Sequence, residues 1–151
     1  MKGFDVPEHA IVVGLKKVVV NTGLLGRWQV LQEDPMVVCD TAHNKEGLSL
    51  VLQQIKKQTY KQLHIVLGFV NDKDVKSVLG LFPKDAKYYF VRPSIPRGMD
   101  VGVLFELATE QGLTGEKFAS VEEGRQKALQ MAEVQDMVYI GGSTFVVAEV
   151  V

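Results

Sequence analysis

Short apolar segments alternate with amphipathic segments along most of this chain, and this alternation constrains the fold more than any other feature. Four β-prone runs predict buried strands at 36–39, 63–69, 86–91 and 137–140. Between them, apolar residues recur at spacings of three and four, as in Leu48, Val51, Leu52 and Ile55, which is typical of one buried helix face. The pattern predicts an α/β domain with a mainly parallel, Rossmann-like sheet and right-handed crossovers that place helices on both faces.

The remaining elements complete a three-layer domain with a sheet of about six strands. A strand at 28–32, followed by the turn Glu33-Asp34-Pro35, predicts an N-terminal β-hairpin or antiparallel edge strand. Residues 118–119 form a short strand at best. Ser120 and Glu123 have the spacing of a capping box before a helix, and Asp100 is a further helix cap. Predicted helices span 7–17, 44–59, 75–82, 100–111 and 121–134.

Composition and charge exclude several classes of protein. The 17 basic and 18 acidic residues leave a net charge of −1, so no long-range field attracts nucleic acid or an anionic membrane. Cys39 is the only cysteine and lies in an apolar run, which favours a buried structural thiol over a catalytic one. No signal peptide is visible, and no apolar stretch approaches the roughly 20 residues of a membrane span. We expect a cytoplasmic protein.

Polar or glycine-rich residues follow each predicted strand, where ligands bind in open α/β sheets. These stretches are 40–44, 71–74, 92–97 and 141–144. Asp40 could bind a ribose hydroxyl or a metal, or it could cap the next helix. His43, at the start of that helix, should stay neutral. It is either a functional residue that donates or accepts a hydrogen bond, or an ordinary surface histidine. Asn44 is an alternative cap.

Three basic residues are candidates for anion binding. Arg27 follows Gly26, so its guanidinium could pair with a phosphate, although a lone Gly-Arg pair is a weak signal. Lys73 lies between Asp72 and Asp74, which also fits a solvated turn with a capping Asp74. Arg97 follows a proline. The chain has neither a G-x-x-x-x-G-K-[ST] phosphate loop nor a G-x-G-x-x-G motif, so we expect that it cannot bind a triphosphate unaided.

Five short motifs, in order along nearly the whole chain, resemble the C-terminal domain of folylpolyglutamate synthase/dihydrofolate synthase. They are Gly26-Arg27-Trp28-Gln29-Val30-Leu31, Asp40-Thr41-Ala42-His43-Asn44-Lys45-Glu46-Gly47, Gly68-Phe69-Val70-Asn71-Asp72-Lys73-Asp74, Pro96-Arg97 and Gly142-Ser143-Thr144-Phe145-Val146-Val147-Ala148-Glu149. The resemblance implies an ATP- and Mg²⁺-dependent ligase that joins L-glutamate to a folate or dihydropteroate carboxylate through an acyl phosphate.

The resemblance also implies roles for individual residues. Arg27 would contact the ATP phosphates, Asp40 the ribose, and His43 the incoming glutamate as the catalytic residue. The positions assigned to substrate binding are Asn44, Asp72, Lys73, Arg97 and Ser143. No metal ligand is assigned.

The resemblance further implies that residues 1–151 form a single Mur-ligase-type C-terminal domain whose partner is the enzyme's own central ATPase domain. Alone, the domain would be inactive and would hold no cofactor tightly.

Two alternatives stay open. The peptidoglycan ligases of the Mur family share the architecture, but Lys45 stands where they have proline, and the Asp72-Lys73-Asp74 loop and Glu149 favour the folate branch. The second alternative is a non-catalytic binding module of the same fold.

Overall fold

A six-stranded sheet organises residues 26–72 and 74–151, which are the residues described by this computed structural model. Its order is β1-β2-β6-β3-β4-β5, with β1 antiparallel to β2 and the other neighbours parallel. The strands are β1 (Gln29–Gln32), β2 (Met36–Asp40), β3 (Leu63–Leu67), β4 (Lys87–Phe90), β5 (Gly115–Lys117) and β6 (Met137–Gly141). The mainly parallel sheet with an antiparallel N-terminal hairpin is therefore confirmed.

Five helices connect or follow these strands. They are α1 (Lys45–Lys56), α2 (Val75–Leu79), α3 (Val101–Glu110), α4 (Val121–Met131) and α5 (Thr144–Ala148). Side-chain oxygens of Asn44, Asp100 and Ser120 accept backbone N–H groups at the starts of α1, α3 and α4. The predicted caps at Asn44, Asp100 and Ser120 are therefore confirmed. Of the two candidates for the cap of α1, Asp40 and Asn44, the cap is Asn44.

Several boundaries differ from the predicted ones. Helix α2 ends at Leu79 instead of Phe82, because the next hydrogen bonds, such as Phe82 N–H to the Leu79 carbonyl at 3.2 Å, span only three residues and tighten the turn. Helices α1 and α4 also end a turn earlier than predicted. The short strand lies at Gly115–Lys117 rather than 118–119. The helix predicted at 7–17 lies outside the described residues.

Two apolar clusters cover the two faces of the sheet, which confirms the three-layer arrangement. Alternate strand residues divide between them: Val38 and Ile65 pack with helices α1, α2 and α3, whereas Cys39 and Val66 pack with α4 and α5. Cys39 is fully buried, and burial, reinforced by neighbouring Asp40, raises the pKa of its thiol to about 12. This environment supports a structural thiol.

A buried polar group lies at the amino end of the sheet, opposite the carboxyl ends of the strands. His64 Nε2 lies 2.9 Å from Asp136 Oδ2, and His64 Nδ1 lies 2.9 Å from the Tyr89 hydroxyl. Asp136 also accepts the Glu133 N–H at 3.0 Å. These contacts satisfy side chains that would otherwise be costly to bury.

Across residues 26–72 and 74–151, no helix combines the length and apolar character needed to cross a bilayer.

Candidate functional site

A cleft of about 770 Å³ opens at the carboxyl edge of the sheet. Its walls come from the start of α1, the residues after β3, the loop after β4 and the turn between β6 and α5. Its lining is mixed in charge and polarity and consists of His43, Asn44, Lys45, Glu46, Phe69, Val70, Asp72, Asp74, Val75, Ser77, Val78, Arg97, Gly142, Ser143, Thr144 and Phe145. A concave site lined by both apolar and polar groups is typical of a small-molecule site.

The start of α1 forms one wall. Asn44 Oδ1 accepts the Gly47 N–H at 2.8 Å and caps the helix. His43 is exposed, and its Nδ1 lies 3.3 Å from the Thr41 carbonyl oxygen. The cap thus fixes Asn44, while the His43 ring lines the cleft beside the positive end of a twelve-residue helix, where an anionic group is stabilised.

Asp40 does not cap α1, and it does not line the cleft. Its Oδ2 accepts the Trp28 N–H at 2.8 Å and its Oδ1 accepts the Ala42 N–H at 2.8 Å. The Thr41 N–H donates to the Gly26 carbonyl at 2.7 Å. The segment that carries Arg27 is therefore fastened to the end of β2 at one side of the cleft.

Two unusual backbone conformations frame Arg27. Gly26 has φ +84° and Trp28 has φ +42°; the second is uncommon for a residue with a side chain. A Cβ on Gly26 would come within 2.6 Å of Val147 Cγ1 and 2.8 Å of Thr41 Cγ2, so only glycine fits there. Arg27 itself is exposed.

The residues after β3 form the second wall. Asp72 Oδ1 accepts the Asp74 N–H at 3.0 Å and folds this loop back on itself. Asp74 occupies the N-cap position of α2, but its side chain makes no capping hydrogen bond; the interpretation of Asp74 as a side-chain cap is therefore wrong. Lys73 lies outside the described residues.

Residues 92–98, which we name the Arg97 loop, form the third wall. The Arg97 carbonyl accepts the Asn71 N–H at 2.8 Å, and the Gly98 N–H donates to Ile95 at 2.9 Å. A Cβ on Gly98 would collide with the Pro93 carbonyl, so the loop closes this tightly only with glycine. Arg97 is exposed and reaches the cleft.

The turn after β6 forms the fourth wall. Ser143 is only 3% exposed, and its Oγ accepts the Phe145 N–H at 3.1 Å as the cap of α5. Gly142 has φ +98°, a conformation that favours glycine. Phe145 is 42% exposed and lines the cleft, so it offers an apolar surface to a ligand.

The structure brings most of the predicted site residues together. His43, Asn44, Asp72, Arg97 and Ser143 all line the one cleft. Arg27 and Asp40 do not line it; they are connected through the bond of Asp40 to the N–H of Trp28, the residue after Arg27. Sequence reasoning missed the cleft residues Phe69, Val75, Val78 and Phe145, because apolar residues in periodic segments indicate core packing. It also missed Glu46 and Ser77, which look like ordinary surface positions of a helix.

Among the residues that the structure describes, no three His, Cys, Asp or Glu side chains lie close enough together to hold a metal ion.

Comparison with known proteins gives the family. The family model described as "Mur ligase, glutamate ligase domain" matches residues 26–144. A probable bifunctional folylpolyglutamate synthase/dihydropteroate synthase of Haloferax volcanii is 32% identical over 146 residues, which are 96% of this chain and 17% of that protein.

Solved structures agree. Escherichia coli FolC in complex with DHPP and ADP has a TM-score of 0.79 and 29% identity, covering 98% of this chain and 34% of that one. A bifunctional folylpolyglutamate synthase/dihydrofolate synthase with Mn, AMPPNP and L-glutamate bound has a TM-score of 0.74 and 28% identity, covering 83% and 30%. This chain thus spans between about a sixth and a third of the length of these proteins.

Proposed function

Because this chain belongs to the Mur ligase, glutamate ligase domain family, we propose that it is the C-terminal domain of an ATP-dependent ligase that adds L-glutamate to a folate or dihydropteroate carboxylate. The observation that carries the proposal is the arrangement of two adjacent groups at one sheet edge. Arg27 and Asp40 form one group, and His43, Asn44, Asp72, Arg97 and Ser143 line the cleft beside it. The related structures named above hold ADP or AMPPNP, and one holds L-glutamate.

The Arg27 group suits a nucleotide. An exposed guanidinium pairs with phosphate oxygens, and its charge is permanent. Asp40 has two carboxylate oxygens with about four lone-pair sites, of which two accept backbone N–H groups. The remaining lone pairs are available to ribose hydroxyls. Arg27 would therefore neutralise phosphate charge while Asp40 orients the sugar.

The cleft suits the amino-acid substrate. Glutamate carries two carboxylates and one amine, and the cleft offers both signs of charge: His43, Lys45 and Arg97 as possible partners of carboxylates, and Glu46, Asp72 and Asp74 as possible partners of the amine. His43 would touch the incoming glutamate. Asn44, Asp72, Lys73, Arg97 and Ser143 would form the rest of this substrate site.

The reaction requires correct positioning of the reactants more than it requires acid–base catalysis. ATP supplies the phosphoryl group that activates the folate carboxylate as an acyl phosphate, and the glutamate amine then displaces phosphate. In such a reaction the protein contributes orientation and neutralisation of charge. This chain would bring the cleft and Arg27 against a nucleotide already held by a central ATPase domain, so domain closure completes the site. The whole enzyme would use Mg²⁺ with ATP and would work in the cytoplasm.

The peptidoglycan branch is the less supported alternative, because the relative described above is a probable folylpolyglutamate synthase/dihydropteroate synthase and the structure with L-glutamate bound is a folylpolyglutamate synthase/dihydrofolate synthase. The test is a ligation assay on the protein that joins this chain to its ATPase domain. With ATP, Mg²⁺ and L-glutamate, we expect a glutamylated product from dihydropteroate or a reduced folate. Product from a UDP-muramoyl acceptor alone would show that the folate assignment is wrong.

A further inference from the structure

One hydrogen bond connects the C-terminal end of α5 to the Arg97 loop. The Ser94 N–H donates to Glu149 Oε2 at 3.0 Å, across 55 residues of sequence. The motifs assign no role to Glu149, and it does not line the cleft. It nevertheless contacts the loop that carries a cleft residue, Arg97.

Helix α5 holds the backbone of Glu149 in place. The helix begins at the cleft, where Ser143 caps it, and Glu149 follows its last residue. Val146 and Val147 of the same helix are buried at no more than 1% exposure and belong to the apolar cluster under the sheet. The Glu149 N–H bonds to the Val146 carbonyl at 3.2 Å. Packing therefore holds the backbone from which the carboxylate reaches out.

The two halves of the Arg97 loop are held differently. Next to Arg97, the Asn71 N–H and the Met99 N–H form hydrogen bonds that tie the second half to the residues after β3, at 2.8 Å each. The first half is tied to the end of α5 by Glu149. Inside the loop, Arg92 Nε donates to the Gly98 carbonyl at 3.1 Å and joins the two halves. A change at Ser94 is thus transmitted to the segment beside Arg97.

We propose that Glu149 is a positioning residue, which holds the Arg97 loop so that the Arg97 guanidinium is set for the amino-acid substrate. The proposal rests on the function proposed above. A carboxylate oxygen that accepts a backbone N–H restrains the loop, and a bond to a charged acceptor is stronger than one between neutral groups. Glu149 acts through the loop and not on the substrate, so its removal weakens substrate binding more than it slows the chemical step.

The experiment compares Glu149→Ala, Glu149→Gln and the control Glu106→Ala in the ligase that contains this chain. Glu106 is an exposed carboxylate on α3, outside the cleft. We expect Glu149→Ala to raise the KM for glutamate at least about tenfold, because a hydrogen bond to a charged acceptor is worth about 1.5–3 kcal/mol. The kcat and the KM for ATP should stay within about twofold. Glu149→Gln keeps an acceptor oxygen and should restore most of the affinity, and Glu106→Ala should behave as the wild type.

A second measurement tests the hydrogen bond between Glu149 and Ser94 without an activity assay. Amide hydrogen exchange at Ser94 should be faster in Glu149→Ala than in the wild type and the Glu106→Ala control. Unchanged exchange at Ser94, or an unchanged KM for glutamate in Glu149→Ala, would overturn the proposal, as would equal losses in the Ala and Gln variants. A wild-type ligase that adds no glutamate would instead refute the proposed function. The exchange at Ser94 would still show whether Glu149 holds the Arg97 loop.

Discussion

The Asp40 carboxylate accepts the Trp28 N–H at 2.8 Å, and this bond fastens the Arg27 segment to the end of β2. The pairing places a residue from each of two motifs, twelve positions apart, in direct contact. Because the second oxygen of Asp40 accepts the Ala42 N–H, one side chain organises both the hairpin and the turn that leads to His43. Asp40 thus has a structural role beside its proposed contact with ribose.

Asp40→Ala should impair nucleotide use in the complete ligase. The substitution leaves two N–H groups without their charged acceptor, each bond of this kind being worth about 1.5–3 kcal/mol, and it displaces Arg27. We expect the KM for ATP to rise at least about tenfold, with a similar rise for Arg27→Ala. Steady-state kinetics against ATP are the measurement, and Glu33→Ala, an exposed carboxylate in the hairpin turn, is the control. Wild-type kinetics in both variants would refute the nucleotide roles.

His43→Ala should affect the amino acid and not the nucleotide. The ring is exposed and lines the cleft at the start of α1, whereas Asp40 does not line the cleft. We expect the KM for glutamate to rise about tenfold, as for one lost polar contact, and the KM for ATP to stay within about twofold. Lys57→Ala, at the other end of the same helix, controls for effects on helix stability. A larger effect on ATP than on glutamate would show that the role of His43 is wrong.

The chemistry of the site was more predictable than its geometry. Apolar runs and helical spacing are local patterns of the sequence, so they predict where the strands end. The polar residues at those ends then predict the cleft. The contact between Asp40 and Trp28 depends on the register of the hairpin, in which the pairing of β1 with β2 shifts between Val30 and Gln32. The bond between Glu149 and Ser94 spans 55 residues, and no local pattern encodes such a contact.

Stability at acidic pH should depend on Asp136. Its burial favours the neutral form, but hydrogen bonds from the Glu133 N–H and from His64 outweigh this and hold the pKa of the carboxyl below its usual value. A lowered pKa contributes stability that is present above the unfolded value, about 3.9, and is lost as the pH falls through the lower native value.

The corresponding variant is Asp136→Asn. Urea unfolding should show it to be less stable than the wild type at pH 7, and the difference should shrink as the pH falls below about 4. A difference that stays constant from pH 7 to pH 3 would contradict this account of the carboxylate.

Substitutions at Gly141 and Tyr139 should have coupled effects on the free energy of unfolding. The Tyr139 hydroxyl is fully buried and has no hydrogen-bond partner among the described residues, and a Cβ on Gly141 would collide with it. An unpaired buried hydroxyl costs about 1–3 kcal/mol, so Tyr139→Phe should raise the free energy of unfolding by about 1 kcal/mol. Gly141→Ala should destabilise the protein, and by less in the Tyr139→Phe background. A double-mutant cycle measures this coupling; additive effects, or a loss of stability in Tyr139→Phe, would contradict it.

The central claim is that this chain completes an ATP site whose other part belongs to a separate domain. Titration calorimetry with ATP and Mg²⁺ on the chain alone, and on the ligase in which it is joined to the ATPase domain, tests it most directly. The account predicts no micromolar binding by the isolated chain, tight binding by the joined protein, and weaker binding when Arg27 of the joined protein is replaced by alanine. Micromolar ATP affinity in the isolated chain would contradict it.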